Sequence, residues 1–132
     1  MKYEIENQKF FNFLSDSLMD GILIIDDKDK VRYWNLALMN MLNIDREKLN
    51  SKDFQDFIKD EKLRKFFIRE KKEIEKECYY KGTHLLIKSL PYMEQDRLLG
   101  HAFILKDITD IKDSETQLRE LKNSLDMIED IL

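Results

Sequence analysis

Between Leu98 and Thr116 the sequence LLGHAFILKDITDIKDSET changes its periodicity without a break. Leu98 to Ile108 is a short run rich in apolar residues that opens on a Gly, and it reads as a β-strand. From Thr109 onward the pattern is helical. A strand usually ends in a Gly- or Pro-containing turn that uncouples it from the next element. No Gly or Pro stands at this joint, so a strand is stiffly fused to a helix. Such a joint suits a device that carries a change in a sheet out to another part of a larger assembly.

The helix keeps a heptad seam: Ile111, Ser114, Leu118, Leu121, Leu125, Ile128 and Leu132, in alternating steps of three and four. This is coiled-coil spacing, although a helix folded back on its own domain needs the same stripe. The flanking charges add little. In a parallel pair Asp110 would face Glu115 of a second copy, and the other flanking pairs are near neutral. About three heptads without a charge code make a marginal coiled coil, so a homodimer built on it needs a further surface.

The rest of the chain supplies a domain for this helix to project from. With 132 residues, 42% of them hydrophobic and 38% charged, there is material for one core and a heavily solvated surface. A net charge of −4 gives no electrostatic reason to expect nucleic acid. The single cysteine, Cys78, excludes an intramolecular disulfide or a cysteine-based zinc cage. No apolar run approaches a membrane span. Glu4 and Glu6 interrupt the place where a signal peptide would be apolar. The expectation is a cytoplasmic domain without direct membrane contact.

Residues 1–20 read as an N-terminal helix with Tyr3, Phe10, Leu14 and Leu18 on one face, closed by Asp20-Gly21. GILIIDDKDKVRYWN reads as a hairpin around a polar turn. Strict alternation puts Val31 and Tyr33 on one face and Arg32 and Trp34 on the other. Asn35 is a good N-cap for a short apolar helix carrying Leu38, Met41 and Leu42. Residues 43–60 are turn-rich, anchored by Leu49, Phe54, Phe57 and Ile58, and a helix is predicted from Glu61 to about Lys72. IEKECYY and THLLIKSLPYM form a second hairpin at Lys81-Gly82, with Pro91 marking the end of regular pairing. MEQDR is a polar connection to the last strand. Helix, two strands, helices, three strands and a long helix give an α+β fold: one antiparallel sheet with helices on one face.

In this order, DGILIID at 20–26, VRYWN at 31–35, the Gly82 hairpin, SLP at 89–91 and GHAFILKDIT at 100–109 resemble a PAS domain. The resemblance covers roughly residues 18–110. It implies a five-stranded antiparallel sheet with helices enclosing a small pocket, a PAS core over 21–108 and a C-terminal signalling helix over 109–132. It also implies dimerisation and regulation of an attached output domain: a histidine kinase, a diguanylate cyclase or a transcriptional activator. The pocket would be lined by Leu23, Ile25, Tyr33, Leu38, Leu42, Ile87, Ser89, His101, Phe103 and Leu105. The outer sheet face would carry Ile22, Ile24, Trp34, Leu86, Leu90, Ala102 and Ile104. Asp107 and Thr109 would couple core to helix, with Thr109 capping the helix start and Asp107 beside its positive end. The dimer helix would use Ile111, Leu118, Leu121, Leu125, Ile128 and Leu132.

The residues present bear on the pocket's chemistry. Flavin photosensors of the family carry a GxNCRFLQ motif, which is absent; Cys78 lies in a strand, and Leu105 stands where they carry a glutamine. Haem-binding members ligate iron from a histidine on the central helix, but the first histidine here is His84. No nucleophilic triad, phosphate loop or HExxH motif suggests an enzyme. The pocket suits a small organic ligand or its own Leu, Met and Phe side chains, and no tightly retained cofactor is expected. The readings in order are a non-catalytic sensor and dimerisation module, a constitutive scaffold with a filled core, and a haem- or flavin-bound redox or gas sensor.

Overall fold

The computed structural model describes residues 9, 18–45 and 52–131. The elements in chain order are β1 (Gly21–Asp26), β2 (Val31–Trp34), α1 (Leu36–Leu42), α2 (Phe54–Phe57), α3 (Glu61–Arg64), β3 (Ile74–Tyr80), β4 (Thr83–Glu94), β5 (Arg97–Asp107) and α4 (Thr109–Ile131). The strands form one antiparallel sheet in the order β2-β1-β5-β4-β3. The α+β architecture is the one expected. Of the expected N-terminal helix only Lys9 is described, helical and exposed; Tyr3, Phe10 and Leu14 lie outside the described residues, as do Leu49 and Leu132. Leu18 and Met19 lie in an exposed bend.

The first turn is held by one carboxylate. Asp26 Oδ1 accepts the backbone N–H groups of Lys28 and Lys30, each at 2.9 Å, and Oδ2 accepts Arg32 Nε at 2.7 Å. Desolvation alone would raise the pKa of Asp26. The two backbone bonds and the Arg32 guanidinium outweigh it and hold the carboxyl below its ordinary value.

The polar turn is followed by a departure from strict alternation. Leu23 pairs with Trp34 and Ile24 with Tyr33, but Ile25 pairs with Val31. A bulge at Arg32 therefore absorbs one residue, and side chains beyond it change faces. Tyr33, expected in the pocket, shares the outer face with Ile24. Trp34, expected on the outer face, packs on the inner core against Phe57, with ring centroids 5.4 Å apart.

Asn35 is fully buried and does more than cap α1. Its Oδ1 accepts Leu38 N–H at 3.1 Å and Ile22 N–H at 2.9 Å, while Nδ2 donates to the Asp20 carbonyl at 2.9 Å. One amide thus ties a helix start to the first strand.

Two further expectations change. The helix predicted to about Lys72 ends at Arg64. Phe66 N–H and Phe67 N–H bond to the carbonyls three residues back, at 3.0 and 3.1 Å, tightening the chain so that Phe67 enters the core. Burial of that ring overrides the helix propensity of the charged residues around it. Strand β4 also continues past Pro91, which pairs with His101. β3 ends at Ile74 opposite Ser89, so beyond that point β4 has no strand on that edge among the described residues, and a missing N–H costs no ladder bond. The polar connection is a two-residue turn, with Gln95 and Asp96 both at positive φ (49° and 65°), as type I′ requires.

The core lies between the sheet and the short helices. Leu23, Ile25, Leu38, Phe54, Ile87, Phe103 and Leu105 are almost wholly buried. On the opposite face Ile22, Ile24, Leu86, Leu90, Ala102 and Ile104 are half-buried.

Candidate functional site

The inner face gathers the expected lining residues, Tyr33 excepted, and packs them against one another. Alternation along β1, β4 and β5 brings Leu23, Ile25, Ile87, Ser89, His101, Phe103 and Leu105 to one side, and α1 adds Leu38 and Leu42. Phe103 is the hub. It stacks on His101 (centroids 5.9 Å) and Phe54 (6.1 Å) and meets the edge of Phe67 (5.1 Å). These aromatic contacts add to the burial of each ring.

His101 is buried, and its Nε2 lies 2.9 Å from the Glu70 carbonyl oxygen. A carbonyl only accepts, so Nε2 carries the proton and the ring serves as a structural donor. Ser89 Oγ, also buried, has no hydrogen-bond partner among the described residues. The sequence pattern did not show that Glu70 would supply the histidine's acceptor, because a backbone carbonyl in irregular chain carries no residue signature.

At the exit from the sheet, the joint is a set of local bonds. Asp107 Oδ1 accepts both the backbone N–H of Thr109, at 3.0 Å, and its hydroxyl, at 2.6 Å. Thr109 Oγ1 in turn accepts His84 N–H at 3.0 Å, and Ile108 N–H donates to the His84 carbonyl at 2.8 Å. The Asp107 carboxylate stands beside the positive helix end, as expected, but the capping role expected of Thr109 falls to it. Asp107 caps the first turn, and Thr109 ties that turn to β4. Lys112 Nζ reaches Glu77 Oε2 on β3 at 3.0 Å, and this hydrogen bond raises the ammonium pKa above its ordinary value. The helix is thus fastened to the β3–β4 hairpin as well as continuing from β5. Because the Asp107 cap satisfies an orphan N–H of the helix start, Asp107→Ala should cost about 1 kcal/mol of stability. Hydrogen exchange should accelerate at Thr109–Lys112 and stay unchanged in β1 and β5; equal protection in both proteins would remove Asp107 from the joint.

Beyond that turn α4 projects. Ile111, Leu118, Leu121, Leu125 and Ile128 are each more than half exposed. The folded-back alternative for this stripe is thereby removed for the described residues.

Cys78 is buried on β3, and desolvation pushes its thiol pKa up, away from the reactive thiolate. Among the described residues no three His, Cys, Asp or Glu side chains cluster to hold a metal ion. No described helix is long and apolar enough to cross a membrane.

Comparison with known proteins gives one family. Residues 19–110 match the family described as PAS domain. The fold is similar to that of the PAS domain of Bordetella pertussis BvgS, with 17% identity, a TM-score of 0.64, and coverage of 91% of this chain and 99% of that one. It is similar to the PAS domain of nitrogen regulation protein NR(II) from Vibrio parahaemolyticus, with 17% identity, a TM-score of 0.50, and coverage of 74% and 96%. It is also similar to a PAS domain from a two-component sensor histidine kinase, with 15% identity, a TM-score of 0.51, and coverage of 79% and 98%. At these identities the likeness is one of fold. A comparison with curated proteins finds no match.

Proposed function

The chain belongs to the PAS domain family, and on that premise we propose that it is a non-catalytic sensor and relay module that regulates an attached output domain through α4. The observation that carries the reading is the uninterrupted passage of β5 into a latched, projecting helix with an exposed apolar seam. A stiff joint transmits a shift of the sheet that a flexible linker would absorb. The solved PAS domains from a sensor histidine kinase and from nitrogen regulation protein NR(II) support a signalling role. The output is of the histidine kinase, diguanylate cyclase or transcriptional activator class.

The active form is a homodimer. The α4 seam supplies one contact, and the apolar outer face around Ile24, Leu86 and Ile104 supplies the second that a helix of this length needs. Sedimentation at tens of micromolar should give a dimer, which Leu118→Glu with Leu125→Glu should weaken at least about tenfold, since each places a charge in the seam. A wild-type monomer under those conditions would sink the dimer. In the parent protein Asp107→Ala should leave the domain folded and output unresponsive; normal regulation would refute the relay.

The packed inner face favours a second reading, a constitutive dimerising scaffold that holds no ligand in its core. Native mass spectrometry separates the two by the presence or absence of a bound small molecule. Neither reading includes haem or flavin, and the purified domain should be colourless.

A further inference from the structure

The chain between α3 and β3 is held to the sheet in an unusual way. Residues 65–73 form no helix or strand, and of their side chains only Phe67 is buried. Between Ile68 and Lys72 the backbone makes a single hydrogen bond among the described residues: the Glu70 carbonyl accepts His101 Nε2–H at 2.9 Å. Arg69 adds a half-exposed ion pair to Asp29 in the β1–β2 turn, and its guanidinium lies 5.3 Å from the centroid of the Phe54 ring. Both ends are fixed. Phe66 and Phe67 N–H bond back into α3, and Glu73 reaches Lys88 Nζ on β4 at 3.0 Å, beside the pairing of Ile74 with Ser89. The segment is a strap with anchored ends.

Its closure rests on one ring, one hydrogen bond and one screened ion pair, against the conformational entropy of a backbone that has no ladder. The sheet beneath has a continuous ladder, so the strap opens at a lower cost than the sheet. The closed state also leaves a polar group unsatisfied. Ser89 Oγ, between Ile74 and Phe103 in the ladder, is buried without a partner among the described residues, and water admitted on opening would supply one.

The strap bears on the strand that becomes the helix. Phe67 meets Phe103 edge-on at 5.1 Å, and Glu70 holds His101, the preceding inner residue of β5. Immediately upstream β5 is seated hard on β1, because a Cβ at Gly100 would overlap the Ile25 carbonyl oxygen. Downstream, β5 runs about 20 Å from His101 to the joint at Asp107. The strap therefore presses on β5 between a fixed point and the joint.

We propose that residues 65–73 are a two-state strap, closed on β5 through Phe67 and Glu70 as seen here and open with the sheet intact, and that the closed strap restrains the strand that drives α4. The restraint on output rests on the relay reading above; the opening itself does not.

The test is limited trypsin cleavage of the 132-residue chain after Lys71 and Lys72, in urea below the unfolding transition. Opening a strap exposes little surface, so the cleavage rate should rise far less steeply with urea than global unfolding does. Phe67→Leu keeps an apolar side chain but loses the ring contacts, and it should speed cleavage at least about fivefold. Arg69→Gln, at a half-exposed position, should speed it about twofold and leave the urea midpoint of unfolding unchanged. A rate with the urea dependence of global unfolding, or one that is the same in the parent and both variants, would overturn the strap. In Arg69→Gln, hydrogen exchange at Ile108 and Lys112, whose N–H groups are bonded at the joint, should accelerate by the same factor as cleavage. Faster cleavage with unchanged exchange there would overturn the restraint on output alone, and the Asp107→Ala experiment in the parent protein then decides the relay independently.

Discussion

Phe103→Ala should lower the free energy of unfolding by about 4 kcal/mol, within the range for aromatic-to-alanine changes in a close-packed core. Phe103 has no exposed surface and touches three other rings: His101, Phe54 and Phe67. His101 is held on the same strand, and Phe54 and Phe67 are held on the segments packed over it, so the rings have little freedom to collapse into the space left behind. The loss should appear in urea unfolding as a lower midpoint with an unchanged slope, and in heating as a fall of roughly 15 °C. The variant should also bind a benzene-sized apolar molecule in the new cavity, which the parent should not, because apolar cavities of that kind stay dry. A loss below about 1 kcal/mol would mean that the inner face already holds empty space, and the filled-core account would fail.

Asn35→Ala should cost about 3 kcal/mol, although the side chain is small and polar. Truncation strands the buried N–H of Leu38 and leaves the part-buried N–H of Ile22 and the Asp20 carbonyl without their side-chain partner. Each buried group left without a partner costs about 1–3 kcal/mol, and the gain of a good helix former offsets little of that. Asn35→Ser sharpens the test. A serine hydroxyl can still cap Leu38 N–H but cannot span to both Ile22 and Asp20, so it should recover only about 1 kcal/mol of the loss. If alanine and serine behave alike, and both cost little, Asn35 is an ordinary helix cap and not the clamp between β1 and α1.

The sheet and its boundaries were legible because their signals are local. Lys81-Gly82 is a two-residue turn with Gly at positive φ, and the run from Leu98 has a strand pattern that changes to a helical one at Thr109. Asn35 was recognisable as a cap, but not as a bridge, because its other two partners lie 13 and 15 residues away. Tyr33 and Trp34 were misplaced because a bulge has no residue signature in VRYW, and one extra residue inverts every face after it. Gln95-Asp96 lacks the glycine that usually announces a type I′ turn. Pro91 misled because its effect depends on where β3 ends, which is a property of the sheet and not of the strand. The lining residues of the inner face were legible as a set, since alternation fixes a face. Whether that face is hollow was not, because Phe54 fills it from a four-residue helix and Phe67 from an irregular segment.

The way β2 is finished constrains how copies of this domain can meet. Its outer edge is not left bare: Val31 N–H bonds to the Lys52 carbonyl at 2.6 Å, Phe54 N–H bonds to the Asp29 carbonyl at 2.9 Å, and Lys30 bridges to Asp53. The opposite edge, β3, exposes Glu75, Lys76 and Glu77 in succession, and the uncovered stretch of β4 carries Pro91. A strand from another molecule therefore meets an edge already bonded at its start on one side and charges or a missing donor on the other. Open-ended growth by strand addition is blocked, while the α4 seam stays exposed. The fold closes the route that leads to fibres and leaves open the one that ends in a discrete pair.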